Sequence, residues 1–198
     1  IDPVLAIVGD RAPADVVDQV RAELGLDEPL WVQFWIYLGK LAQGDLGRSV
    51  MTSHTVVADI VRFFPATMEL ATAAILISAL IGIPVGVLAA VKQGSWLDHA
   101  IRVVCLAGHS LPIFVLALIS LLVFYATLEL APGPGRQNIL FDDMVPTVTG
   151  LLTVDALIAG EWEVFWDALA HLAQPAGVLA YFSMAYLARM TRAFMLDT

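Results

Sequence analysis

Between Arg62 and Lys92 the chain carries a single charge, Glu69, and from Pro65 to Val91 it is apolar almost without interruption. As a helix rising 1.5 Å per residue, that stretch reaches about 40 Å, enough to cross a hydrocarbon core of roughly 30 Å with some tilt. Two further uncharged runs, 103–128 and 168–188, repeat the pattern. None of the three alternates polar and apolar residues, as a barrel strand would over about ten residues. The composition agrees: 59% of the residues are hydrophobic and 15% charged, against roughly 25% charged in soluble domains. The expected fold class is all-α, a polytopic α-helical membrane protein with three visible spans, a short helical outer segment and an outer lobe.

Orientation follows from the basic residues, which favour the cytoplasmic ends of spans. The turn 92–102 holds Lys92 and Arg102, and the tail 189–198 holds Arg189 and Arg192, all expected as cytoplasmic anchors. Segment 129–167 has Arg136 as its only basic residue beside seven carboxylates. The chain then divides into an extracytoplasmic segment 1–64 with short amphipathic helices, a span 65–91, a cytoplasmic turn 92–102, a span 103–128, an extracytoplasmic lobe 129–167, a span 168–188 and a cytoplasmic tail 189–198. An acidic outer segment ahead of the first span leads us to expect an upstream helix or signal.

Residues 13–24, PADVVDQVRAEL, read as a short helix with proline in its first turn, and Pro29 opens a second. In that second helix Trp31, Phe34, Trp35, Leu38 and Leu41 share one face. The face suits either the lipid headgroup region or packing on the rest of the protein. The carboxylates of 129–167 read as a solvated acidic face.

Within the first span, Ala74, Ser78, Gly82 and Gly86 recur every four residues and line one side of the helix. Small side chains let a second backbone approach closely, so this side is expected to be a packing seam. Pro84, Pro112 and Pro175 place one proline in each span, and each is expected to kink its helix. Glu69, within about a turn of Pro65, reads first as an interfacial cap, with a polar route through the bundle as the alternative.

Several functions are disfavoured by the residues themselves. With ten Lys and Arg against nineteen Asp and Glu, nucleic-acid binding is not expected. His54, His99, His109 and His171 have no metal-ligand spacing, and His109 beside Ser110 is the one faint trace of an enzymatic pair. Cys105, the single cysteine, reads as a small buried side chain. The only Gly-Lys pair, Gly39-Lys40, has Phe34 and Leu41 where a phosphate-binding loop needs glycine and a hydroxyl. No catalytic, cofactor-binding or metal-binding residue is expected in this chain.

The blocks LGLDEPLWVQFWIYLGKLAQGDLGRSV (24–50), FFPATMELA (63–71), IGIPVGVLAAVKQGSWLD (81–98), SLPIFVLAL (110–118) and YLARMTRAFMLDT (186–198) together resemble the permease subunits of binding-protein-dependent ABC importers for dipeptides, oligopeptides and nickel. The resemblance implies a multi-pass subunit of the bacterial inner membrane, in contact with lipid, that forms half of a translocation pathway by alternating access. It also implies a second permease, two cytoplasmic ATPase subunits that use ATP and Mg, and an extracytoplasmic solute-binding protein. Residues 189–198 would then begin the region that couples to the ATPase, cut short here, and Arg189 and Arg192 would lie nearest to it. A nickel-chelate or other small-solute importer, a non-transporting sensor or scaffold, and an intramembrane enzyme are the alternatives.

Overall fold

A computed structural model describes residues 4, 8, 9, 12–23, 25–49 and 51–197. Leu24 and Thr198, the ends of two of the segments above, lie outside the described residues, as does the side chain of His109. The described residues form helices, joined by turns and one isolated bridge between Arg48 and Thr55. The chain divides into two compact units, Ile1–Phe64 and Pro65–Thr198.

In the first unit, α1 (Ala14–Glu23) starts directly after Pro13, whose carbonyl accepts from the N–H groups of Val16 and Val17. Proline suits this place because its missing N–H would have had no partner in a first turn. Helix α2 (Leu30–Ala42) follows Pro29 in the same way and buries no residue. Its aromatic face is exposed, with Trp31, Phe34 and Trp35 all open and the last two in edge-to-face contact. Helix α3 (Val56–Val91) begins where the Thr55 hydroxyl accepts from the N–H of Ala58. The first span was expected from residue 65. The helix starts at Val56 instead, because Thr55 caps it there and Pro65 is accommodated inside.

The second unit is organised around α7 (Trp162–Leu196), which packs on α4 (Trp96–Ser110), α5 (Ile113–Ser120) and α6 (Leu152–Ala159). The span expected over 103–128, with a kink at Pro112, is interrupted outright there. Leu111 is extended at φ −104° and ψ 138°, Pro112 opens α5, and the two arms meet at 99°. Proline Cδ disfavours helical geometry in the residue before it, so α4 stops at Ser110. After α5 the chain continues as a π-helical stretch, Leu121–Thr127. Pro84 and Pro175, in contrast, sit inside unbroken α3 and α7.

By length and composition, α3 qualifies as a membrane-crossing helix, and the bent pair α4–α5 qualifies as a broken one. Helix α7 has the length, at 35 residues, but His171, Gln174, Tyr181, Ser183 and Tyr186 dilute its apolar character over 168–188.

The core of this unit is built from small residues. On α3 the buried residues are Ala74, Ser78, Gly82, Gly86, Ala89 and Ala90. On α7 they include Ala168, Ala176, Ala180, Ala185 and Ala188. Val164 is the largest apolar side chain fully buried on α7, so cohesion comes mainly from close backbone approach and the van der Waals contact it allows.

Candidate functional site

A small-residue seam runs between α3 and α7, with a polar cluster near each end. A Cβ on Gly82 would stand 3.2 Å from Met184 O and Leu187 Cβ, and one on Gly86 would stand 2.6 Å from Ala188 O. Ser78 Oγ turns back to Ile75 O at 2.9 Å, so its hydroxyl adds no polarity to the seam. Ala74, Ser78, Gly82 and Gly86 therefore share one buried face, and two of them touch α7 at backbone distance.

One cluster forms around Glu69. Its carboxylate accepts from the Thr153 N–H at 2.8 Å, from the Thr153 hydroxyl, and from Arg136 Nη2 at 2.8 Å. The same Arg136 nitrogen also donates to Gly150 O at 3.0 Å. Since α3 starts at Val56, Glu69 lies several turns inside the helix and does not cap it. Its partners come instead from segment 129–167, which it ties to α3. Glu69, Arg136 and His171 also line a cleft of about 230 Å³.

Asp155 holds that segment together from within. It is 3% exposed and accepts from the N–H groups of Val148, Thr149 and Gly150 and from the Thr149 hydroxyl. Burial opposes its charge, but these hydrogen bonds outweigh it and keep the carboxyl below its ordinary range. Asp167 likewise accepts from the Asn138 N–H at 2.7 Å and lies 3.4 Å from His171 Nδ1. The expected solvated acidic face is corrected at these two positions, where carboxylates terminate backbone donors.

The second cluster centres on Asp98, which is 1% exposed. It takes Arg192 Nε at 2.8 Å and Nη2 at 2.9 Å, and accepts from the Gly94 N–H at 3.1 Å. Arg102 stands 3.5 Å away. Ser95 caps α4 by accepting from the Asp98 N–H, and Gly94 turns the chain at φ +76°. The Arg192 hydrogen bonds, against the opposing effect of burial and with help from Gly94, hold the Asp98 carboxyl down to about 2. Lys92, in the same turn, is exposed.

A cavity of about 690 Å³ opens beside α7, lined by apolar side chains together with Ser120, Gln174 and Tyr181. Gln174 Nε2 donates to Ser120 Oγ at 3.1 Å, and the Tyr181 hydroxyl donates to Val104 O at 2.8 Å. Among the described residues no group of His, Cys, Asp and Glu is arranged to hold a metal ion.

Sequence reasoning missed Asp98, Thr153, Asp155 and Asp167 as structural anchors. One carried a readable signal: Ser95 and Asp98 stand in the Ser-x-x-Asp spacing of a capping box. The partners of Glu69 lie 67 and 84 residues away, and no local pattern announces them.

Together, the close-packed apolar helices, the bent α4–α5 pair and the polar ties define a helical membrane protein. Two family models match it: residues 82–198 fit the binding-protein-dependent transport system inner membrane component, and residues 1–71 fit the N-terminal part of such a membrane component. The chain belongs to this family of inner membrane transport components. Among its relatives, the probable D,D-dipeptide transport system permease protein DdpB of Escherichia coli is 45% identical over 99% of this chain. The di/tripeptide transport system permease protein DppB of Pseudomonas aeruginosa is 42% identical, and the dipeptide transport system permease protein DppB of Escherichia coli 40%, each over 99% of the chain. The chain spans 57–58% of the length of these relatives.

Proposed function

We propose that this chain is part of the transmembrane permease subunit of an ATP-driven importer for dipeptides or oligopeptides, spanning the bacterial inner membrane several times. One observation carries the reading: over 99% of its length the chain is 40–45% identical to permeases named for dipeptide and tripeptide transport. That similarity favours peptides over nickel chelates as the cargo. The subunit pairs with a second permease, binds two ATPase chains that use ATP and Mg on the cytoplasmic side, and receives cargo from a solute-binding protein outside.

Transport proceeds by alternating access, with ATP binding and hydrolysis in the partner chains rocking the helices and exposing a central passage to each side in turn. The architecture suits this motion. Small residues let α3 approach α7 at backbone distance, Glu69 ties α3 to segment 129–167, and Asp98 ties α4 to α7. The helices can therefore move as packed blocks.

The test is to purify the full-length protein in mild detergent from its native host and identify what accompanies it by mass spectrometry. Recovery of a second permease and ATPase chains, with hydrolysis stimulated by peptide-loaded binding protein, is the expected result. Isolation alone, under conditions that preserve other complexes of this kind, would overturn the proposal.

A further inference from the structure

Helix α2 buries none of its residues, yet its two long sides are not alike. On one side Gln33 Nε2 donates to Leu26 O at 3.1 Å and to Glu28 O at 2.8 Å. On the same side Ile36 Cδ1 lies 3.0 Å from where a Cβ on Gly25 would stand. This side is therefore tied to the preceding turn, which carries Asp27 and Glu28. Lys40, seven residues on from Gln33, shares it. On the opposite side Leu30, Trp31, Phe34 and Trp35 are each more than half exposed. The helix itself holds no carboxylate, in a chain that has nineteen.

Length, position and charge point to one occupant for the aromatic side. At 13 residues the helix is about 20 Å long, too short to cross roughly 30 Å of hydrocarbon, so it can meet lipid only by lying flat. It is also tethered to a helix that qualifies as membrane-crossing, because the Val56 N–H at the start of α3 donates to Gly47 O at 3.0 Å. Only residues 43–46 separate Ala42 from Gly47, which leaves the end of α2 at most about 18 Å from that contact. Asp27 and Glu28 belong to the side turned away from the aromatics, so the aromatic side can enter a headgroup layer without burying a carboxylate. Tryptophan suits that layer, where its ring is apolar and its indole N–H reaches water or lipid oxygens. A protein partner could use the same aromatics. The tether favours lipid, because it holds the helix near the membrane surface whether or not another subunit is bound.

We propose that α2 is an interfacial membrane anchor, with Trp31, Phe34 and Trp35 seated between the phospholipid headgroups and acyl chains of the leaflet in which α3 begins. The anchor requires only that α3 crosses a bilayer. It therefore stands independently of the transported cargo and of which side of the membrane holds α2.

The test places a photoreactive side chain on each side of the helix. Full-length protein carrying Phe34→p-benzoylphenylalanine or Trp35→p-benzoylphenylalanine is reconstituted, with the subunits and binding protein that accompany it, into vesicles of phosphatidylethanolamine and phosphatidylglycerol. Glu28→p-benzoylphenylalanine serves as the comparison from the opposite side. After irradiation, adducts are identified from the mass of the intact chain. Positions 34 and 35 should gain the mass of one phospholipid, severalfold more often than position 28.

Crosslinking of positions 34 and 35 mainly to another protein chain would make this side a protein interface and overturn the proposal. Capture of neither lipid nor protein would leave it in water and overturn the proposal as well. Lipid adducts at position 28 as frequent as those at 34 and 35 would show that the aromatic side is not the one presented to the bilayer, with the same consequence. Should either aromatic variant fail to assemble, the other and Trp31→p-benzoylphenylalanine read the same side.

Discussion

At Asp98 a buried charge is tolerated because every demand it makes is met nearby. Arg192 provides two parallel hydrogen bonds, Gly94 a backbone N–H, and Arg102 a second positive charge. Removing one partner of such a pair is costly chiefly because the other stays buried and unpaired. Asp98→Asn should therefore lower the melting temperature of the detergent-purified complex, since the amide weakens the tie and leaves Arg192 without its counter-charge. The pH dependence has a definite sign. A carboxyl depressed to about 2, against about 3.9 in an unfolded chain, contributes its stability in full above the unfolded value and loses it as pH falls through roughly 4 to 2. Between pH 5 and 8 Asp98 stays charged, so the melting difference between wild type and Asp98→Asn should be constant across that range. A difference that shrinks steadily from pH 8 to pH 5 would show that Asp98 is not held in this way.

At the scale of elements, the seam between α3 and α7 makes two glycines unequal although the sequence spaces them identically. A Cβ at Gly82 would meet side-chain atoms of Met184 and Leu187 and the Met184 carbonyl, all at 3.2 Å, which requires a shift of a few tenths of an ångström. At Gly86 the obstacles are Ala188 O at 2.6 Å and Thr191 Cβ at 2.7 Å, and the backbone of α7 itself would have to move. Replacing a helix-interior glycine by alanine contributes about 1 kcal/mol in propensity, while overpacking costs about 1–3 kcal/mol. For Gly82→Ala the two terms nearly cancel, whereas for Gly86→Ala the cost dominates, by about 2 kcal/mol. Thermal melts of the two variants in the same detergent should rank Gly82→Ala near wild type and Gly86→Ala clearly below it. The opposite order would mean that α7 can yield at Ala188 and that the seam is looser than these distances imply.

For the whole molecule, legibility followed the range of the interactions involved. Apolar runs and the four-residue spacing of Ala74, Ser78, Gly82 and Gly86 are local patterns, and they located α3 and the face it buries. Pro112 marked where 103–128 departs from a straight helix, but a hydropathy run does not register how far: Leu111 is extended and α4 stops before it. Glu69 and Asp155 were misread for a different reason. Their charge suggested caps and a wet surface, whereas their environment is set by Thr153, Arg136 and the Val148–Gly150 backbone after folding. Orientation in the membrane is a property of the whole chain, resting on where Lys92, Arg102, Arg189 and Arg192 fall relative to the acidic outer lobe. It can be tested with Cys105 replaced by serine and single cysteines placed at Gln93 or Glu161, both exposed and outside the helices. In intact cells a membrane-impermeant maleimide should modify Glu161→Cys and spare Gln93→Cys, and permeabilisation should open Gln93→Cys to the reagent. The reverse pattern would invert the topology and place Asp98 and the turn 92–102 on the outer face.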